Sequence, residues 1–371
     1  MSGAPDSLSF AFATLADDGD IRRLLRENPM RGAIEVGFAH EPGYFHGTGL
    51  AGATDRTLIA RERGRLVAAG RWVISDRWLN GEIRRIAYLG ELRLDSSVQG
   101  RADIVLRGYR HLAGEYVRDP ADFCFTSIVA DNERARRMLE RGVRGMPRYE
   151  LIAEFTTMLM RASASRSARL PPGLAIESGE TVSAKDLADC LSEFGRTRNL
   201  STHWTAERID ALAAHGLPRS DFLLLREGAR LAGCMAVWDQ RSFRQIVVHG
   251  YNGGLAIARP VVNLAGAVLG LPRLPKPGSI LSQAMLSPMA IDPRLSNALP
   301  AFLREGMRAA ARRGLEIVAT GFAVDDPCWP VVVRAFRGRR YASRLYSVEW
   351  PGAPAVYRLD ARPCLPELAS L

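Results

Sequence analysis

Along most of the chain, hydrophobic and polar positions alternate in short runs, separated by segments where apolar residues recur every three or four positions. The first pattern predicts half-buried strands and the second amphipathic helices. Residues 89–115, LGELRLDSSVQGRADIVLRGYRHLAGE, hold both: an apolar strand ending near Asp95, a polar turn through Gln99, Gly100 and Arg101, then a run at helical spacing. TLIARERGRLVAAGRW from Thr57 and FLLLREGARLAGCMAV from Phe222 each read as a strand, a charged turn with glycine and a second strand, the pattern of a β-hairpin. ELRLD, a helix and then FCFTSIV require a crossover, so those two strands run parallel, whereas the hairpins are antiparallel. The expected class is α/β with α+β character: a mixed, mostly antiparallel sheet flanked by helices.

The pattern occurs twice. LRLDSSVQGRADIVLRGYRHLA from Leu92 lies without gaps over MAIDPRLSNALPAFLREGMRAA from Met289, with Asp95 over Asp292. In the hairpins Arg61-Glu62 matches Arg226-Glu227, and Arg65-Leu66 matches Arg230-Leu231. TSIVADNERARRML from Thr126 sits over TGFAVDDPCWPVVVRAF from Thr320, and each half opens on a strand and a helix, FAFATLADDGDIRRLLREN and LAIESGETVSAKDLADCLSEF. These correspondences keep one order, which points to two copies of one domain. The connector RASASRSARLPPG, residues 161–173, places a first domain at 1–165 and a second at 166–371.

A chain of 371 residues, 47% hydrophobic and 24% charged, can bury the cores of two domains. Its best apolar run, GLAIARPVVNLAGAVLGL, is broken by Arg259, Pro260 and Asn263 and falls short of a membrane span. MSGAPDSLSF has neither a basic region nor an apolar core, so no signal peptide is read and a cytoplasmic location is expected. The five cysteines are scattered without CxxC spacing and the six histidines without HxxxH or HxH pairs, so neither a disulfide framework nor a metal site is expected. The formal charge of +10 is carried almost wholly by arginine, Lys185 and Lys276 being the only lysines. It suits coenzyme phosphates, nucleic acid or an acidic carrier protein, and equally fits solvated helix faces. No helix-turn-helix, zinc finger or aromatic-basic RNA signature appears, so nucleic acid is not an expected partner.

The strand, turn and helix of residues 89–115, with the asparagine-opened helix that follows, resemble the GNAT superfamily of acyl-CoA-dependent N-acyltransferases. The two halves together resemble its tandem members, among them mycothiol synthase. The superfamily's turn, R/Q-x-x-G-x-G/A, holds the coenzyme A pyrophosphate on backbone N–H groups at a helix N-terminus, where unpaired donors and the helix dipole favour an anion. Here Gln99 matches the first position, Ala102 stands in place of glycine, Ile104 in place of glycine or alanine, and Asp103 adds a negative charge. The second landmark, N-x-x-A-x-x-x-Y, appears as Asn132 and Ala135 with Leu139 replacing the tyrosine. The resemblance implies acetyl-CoA or a longer acyl-CoA as co-substrate, with Leu92, Arg93, Leu94, Gln99, Gly100, Arg101, Ala102, Asp103, Ile104 and Asn132 as cofactor-binding residues. In the second copy Pro293 to Pro300 contains no glycine, Leu299 crowds the turn and Pro300 removes a donor, so that half is expected to be degenerate for coenzyme binding.

Direct attack of an amine on the thioester needs a proton acceptor, a main-chain N–H for the oxyanion and an acid for the departing thiolate. Glu91 is the candidate base, against the alternative of a strand glutamate paired to an arginine. Tyr88 or Tyr149 stands in as candidate acid, each against a structural role. GAIEVGFAHEPGYFHGTG, residues 32–49, lies where the superfamily builds its acceptor loop, and Glu41, Tyr44 or His46 is expected to touch a small-molecule or peptide amine. The apolar helix of the second half is expected either between the domains or along a tunnel for a long acyl chain or hydrophobic acceptor. Competing readings are a binding or scaffold protein on a decayed transferase fold, and a transferase whose donor is acyl carrier protein or aminoacyl-tRNA.

Overall fold

The computed structural model describes residues 8–30, 32, 34–164, 169–269, 272–352 and 357–371. The first half runs β1 (Leu8–Phe12), α1 (Asp18–Glu27), β2 (Ile34–Ala39), β3 (Thr54–Glu62), β4 (Arg65–Leu79), β5 (Glu82–Leu94), α2 (Ala102–Arg118), β6 (Phe123–Val129), α3 (Glu133–Glu140) and β7 (Arg148–Arg161). The second runs β8 (Leu174–Ser178), α4 (Ala184–Gly195), α5 (Ala206–Ala211), β9 (Phe222–Glu227), β10 (Arg230–Ala236), β11 (Gln245–Tyr251), α6 (Gly254–Leu269), β12 (Gln283–Met285), β13 (Met289–Ile291), α7 (Leu299–Arg312), β14 (Ile317–Ala323), α8 (Trp329–Ala335) and β15 (Arg339–Glu349). Part of the proposed connector, residues 165–168, lies outside the described residues.

Nine strands form one mixed sheet in the order β1-β3-β4-β5-β6-β15-β7-β14-β12. Only β5/β6 and β12/β14 are parallel within it. A second sheet, β13-β10-β9-β8, is antiparallel, and β11 pairs with β2 to tie the halves together. The mixed, mostly antiparallel architecture is the one the alternation pattern predicts. The order contains an exchange between the halves: β15 lies between β6 and β7, while β7 pairs with β14.

Local sequence explains the elements. Ser183 and Asp186 cap α4 reciprocally, each side chain accepting the other's backbone N–H, and Leu187, Leu191 and Phe194 fall on its buried face. The helix α2 buries Ile104, Val105, Leu112 and Tyr116, and over the first sheet Trp72, Tyr116 and Trp350 stack with centroids 5.5–6.1 Å apart. The two hairpins repeat a detail as well as a pattern. Arg65 Nη2 lies 2.9 Å from Asp95 Oδ2 and Arg230 Nη2 lies 2.7 Å from Asp292 Oδ2, the same ion pair at matching positions. Each aspartate also accepts the N–H two residues on, from Ser97 and Arg294.

The halves differ where the long central strand should recur. In the first, β5 is continuous and pairs with β4 on one edge and β6 on the other. In the second, the equivalent path breaks into β12, which pairs with β14, and β13, which pairs with β10. Pro288 stands in the gap and offers no N–H to either neighbour, so the strand cannot pass through it as a ladder.

Candidate active site

The site forms where β5 leaves its parallel partner. The strands β5 and β6 pair only from Ile86/Phe123 to Leu89/Thr126, and Thr126 closes the ladder by donating its hydroxyl to the Leu89 carbonyl at 2.6 Å. Beyond that point β6 continues against β15, and the β6-facing edge of Gly90 to Leu94 has no strand partner. On the other edge a bulge displaces the β4–β5 register between Ala69/Arg93 and Arg71/Gly90. Glu91 sits in it with a left-handed φ of 54°, unusual for a residue with a Cβ. The bulge and the splay together leave the β6-facing edge of β5 there without a strand partner, facing the space between β5 and β6.

That space is a cleft of about 440 Å³. Its walls are largely apolar: Phe10, Leu58 and Leu112 come from the first half, Ile246 and Leu281 from the second, and Ile34 and Val36 from the strand joining them. Gly90 is required beneath it, because a Cβ there would come within 2.6 Å of the Tyr88 ring.

A polar chamber of about 50 Å³ adjoins the cleft and shares Arg71, Glu91, Trp238, Gln240 and Arg244 with its wall. Inside it Arg71 bridges two carboxylates. It holds Asp55 through Nε at 2.8 Å and Nη2 at 2.6 Å, and Glu91 through Nη1 at 3.2 Å. Arg244 Nη2 and His40 Nε2 each stand 4.0 Å from a Glu91 oxygen. Glu91 Oε2 and His40 Nε2 are buried and have no hydrogen-bond partner among the described residues. Burial alone would raise the Glu91 carboxyl, but Arg71 above all, with His40 and Arg244 behind it, brings it down to about 2. Burial lowers His40 to about 4, so at neutral pH its imidazole is uncharged. Tyr44 packs its ring 5.0 Å from His40 and shares a 2.8 Å hydrogen bond with Thr57.

Glu91, Tyr88, Leu92, Arg93, Leu94, Ile104 and Asn132 all line the cleft, and Tyr44 lines the chamber. Asn132 caps α3, its side-chain oxygen accepting the Ala135 N–H at 3.2 Å. Tyr88 is buried against Phe125, which pushes its hydroxyl up to about 12. Tyr149 does not line the cleft; it donates to the hydroxyl of Tyr109 at 2.5 Å, and Tyr109 lines the wall together with Tyr88.

Of the three acceptor-loop residues, Tyr44 lines the chamber and Glu41 and His46 do not. Glu41 turns outward and pairs with Arg22 and Arg26, while its backbone binds the Gln245 side chain. His46 is exposed on a short 3-10 turn. His40, one residue past β2, is the group that points inward.

The expected pyrophosphate turn also differs. Its segment Gln99, Gly100, Arg101, Ala102 and Asp103 lies outside the cleft wall, and α2 begins at Ala102, capped by Arg101. The N–H groups of Gln99, Arg101 and Ala102 are already bonded to Ser96, Val98 and Gly100 carbonyls. The Asp103 carboxylate binds Arg101 at 2.7 and 2.8 Å and accepts the N–H groups of Asp103 and Ile104, all of which hold it below the usual carboxylate range. The helix N-terminus that should receive an anion is filled by the chain's own acid.

Asp55, Arg71 and Arg244 do not stand out in the sequence, and His40 stands out only as one polar group of the acceptor loop. Arg71 carries the one available signal: a charged residue inside the otherwise apolar run LVAAGRWVIS. Asp55, His40 and Arg244 reach Glu91 or Arg71 only through the tertiary fold.

No protein-family model matches the chain, and no curated protein matches it in sequence. Solved structures do match it in fold. A GCN5-related N-acetyltransferase from Sphaerobacter thermophilus superposes with a TM-score of 0.57 and 12% identity, covering 95% of this chain and 99% of that one. Saccharomyces cerevisiae N-myristoyltransferase with bound myristoyl-CoA and inhibitors gives 0.60 and 10%, covering 97% and 86%. A GCN5-related N-acetyltransferase from Anabaena variabilis gives 0.51 and 9%, covering 91% and 72%. The chain therefore has the GNAT fold over nearly its whole length.

Proposed function

We propose that the protein is an acyl-CoA-dependent N-acyltransferase in which an amine attacks the thioester directly. The observation that carries this reading is the bulged strand at Glu91: a strand edge without a strand partner faces an apolar cleft, and a carboxylate oxygen and an imidazole nitrogen without partners among the described residues stand at its inner end. In the reaction the amine nitrogen bonds to the thioester carbon, and the carbonyl oxygen takes up negative charge against a main-chain N–H between Leu92 and Leu94. The carbon–sulfur bond then breaks, and coenzyme A leaves as thiolate.

The proton work divides between two residues. Held near 2, Glu91 is too weak a base to keep a proton at neutral pH, but its charge attracts the acceptor's ammonium group. His40 is neutral and offers Nε2 to the amine proton; the imidazolium formed faces Glu91 4.0 Å away. Tyr88, Tyr109 and Asn132 are the groups at the cleft wall available to the leaving thiolate. Cys124, buried and pushed up to about 12 by desolvation, has no part in this scheme.

The acyl group is acetyl or longer, and the extent of the cleft favours a longer chain, because its apolar wall continues from β5 to Ile34, Val36 and Ile246. The acceptor is a small-molecule or peptide amine entering the chamber of His40, Tyr44 and Glu91. We also infer that the halves are tandem copies dividing near residues 165 and 166, which the matched Arg65–Asp95 and Arg230–Asp292 pairs support. In the second copy Leu299 is fully buried and Pro300 follows it, which favours a supporting role.

One observation favours a second reading. The Arg101–Asp103 pair closes the usual anion seat, as a binding protein on a decayed transferase fold would allow. Calorimetric titration with coenzyme A, acetyl-CoA and a long-chain acyl-CoA, followed by thiol release in the presence of amines, separates the two. Binding with turnover that Glu91→Gln lowers by roughly a hundredfold supports the transferase. Binding without turnover favours the scaffold, and binding of none of the three overturns the acyl-CoA transferase.

A further inference from the structure

The helix α6 is turned the wrong way round for a solvated protein. Its spacing predicts burial, yet Ile257, Val261, Leu264 and Val268, at positions i, i+4, i+7 and i+11, are 86%, 70%, 73% and 85% exposed. They form one aliphatic stripe, with Leu269 at its end 48% exposed. The helix lies neither between the halves nor along the cleft.

Its polar side chains face inward instead. Arg259 donates to the Leu274 and Pro275 carbonyls at 3.4 and 3.1 Å. Asn263 pairs with Leu274 in both directions, its amide donating at 3.0 Å and its oxygen accepting at 2.7 Å. These bonds clamp α6 onto the segment that follows it and fix the aliphatic stripe outward. An exposed aliphatic side chain gives up the free energy of burial, so a stripe of four is a surface shaped for something apolar.

Charge decides what that something is. Residues 252–281 contain no aspartate or glutamate, while Arg273 and Lys276 stand exposed on the clamped segment. With two exposed cations and no carboxylate, this stretch complements an anionic partner. An anionic bilayer satisfies both features, taking the aliphatic stripe to a depth of about 5–10 Å with the basic groups at its headgroups. The helix spans roughly 24 Å in the plane of the surface, and no described helix is long and apolar enough to cross a membrane.

We propose that α6 docks the protein on an anionic lipid surface. The placement fits the chemistry of the cleft without depending on it: α6 follows directly from β11, whose Ile246 lines the apolar wall. A lipid-soluble donor or acceptor would then reach the cleft from the bilayer side.

Co-sedimentation of the full chain with phosphatidylcholine vesicles, with and without phosphatidylglycerol, tests this. Wild type is expected to bind the vesicles containing phosphatidylglycerol. Leu264→Glu/Val268→Glu and Arg273→Glu/Lys276→Glu should each weaken binding by roughly tenfold or more. The substituted side chains are exposed, so an unchanged melting temperature serves as the folding control. Val261→Trp adds a second readout, a blue shift of the new indole on vesicle addition. Failure to bind anionic vesicles, or binding that neither pair of substitutions weakens, overturns the proposal. So does a wild-type dimer in sedimentation velocity that Leu264→Glu/Val268→Glu converts to monomer, since the stripe would then belong to a second copy.

Discussion

Glu91 keeps its charge inside the protein only because Arg71 and Arg244 stand against it, and the same residues fix what it can do. Replacing it with glutamine leaves two buried guanidinium groups facing a neutral amide. Glu91→Gln is therefore expected to cost of the order of 3 kcal/mol in denaturant unfolding and to lower kcat/KM by roughly a hundredfold. His40→Gln should lower kcat with a smaller loss of stability, because it removes a group that carries no charge at neutral pH. Equal kinetic losses with no change in stability would mean that Glu91 is not held as described.

Two buried groups also set an opposed pH dependence. His40 is lowered from 6.5 to about 4, so between those values the unfolded chain binds the extra proton and stability falls as pH falls. Glu367 lines the same chamber and is raised by burial from 4.5 to about 7; in that window the folded chain binds the extra proton and stability falls as pH rises. Arg77 and Arg208 face Glu367 and moderate the rise. Each contribution is of the order of 3 kcal/mol. Wild type should thus be nearly flat between about pH 4.5 and 6.5. His40→Gln should expose a decline with rising pH, and Glu367→Gln a rise, in urea unfolding across that window. Parallel curves for all three proteins would contradict the assignment. Of the groups around Glu91, the sequence points to Glu91 and Tyr88 on the central strand, to Leu92, Arg93, Leu94, Ile104 and Asn132 along the cleft, and to Tyr44 in the acceptor loop. Asp55, His40 and Arg244 come from separate elements, and nothing in local pattern brings them to one point.

The elements themselves were largely readable, because alternation and helical spacing report burial directly. What pattern could not report was hydrogen-bond partnership. The turn after β5 has the superfamily's outline, and in place its donors are spent on its own carbonyls and on Asp103. That state is adjustable: Asp103 is held mainly by Arg101, and both lie at the surface. Asp103→Ala should free two helix N–H groups and one guanidinium for a phosphate and raise affinity for coenzyme A by a few-fold to roughly tenfold in calorimetry. Gly100→Trp, at a φ of 97° that only glycine adopts easily, should abolish it. If neither variant changes affinity, the coenzyme's phosphates lie elsewhere. Likewise Pro288 marked a strand break that a repeat read by similarity alone passes over.

At the scale of the molecule, the sequence suggests repetition and is silent on exchange, since alternation says which face of a strand is buried and nothing of which strand lies beside it. The strand β15 pairs with β7 from Arg339/Leu159 to Glu349/Arg148 and with β6 from Ser343/Val129 to Ser347/Phe125. Both edges of β7 are thus occupied by strands of the second half, β15 and β14. A fragment of residues 1–165 would hold β7 with neither partner and would uncover Phe155 and Met158 from the core. It is expected to show no cooperative unfolding transition alone, whereas co-expression with residues 166–371 should return a complex that unfolds in one step. Unpaired backbone groups along a buried strand are too costly to leave, which is why the halves should fold together even if each descends from a domain that folded by itself. A cooperative transition in the isolated 1–165 fragment would show instead that β7 can fold back beside β6, in the place β15 now holds.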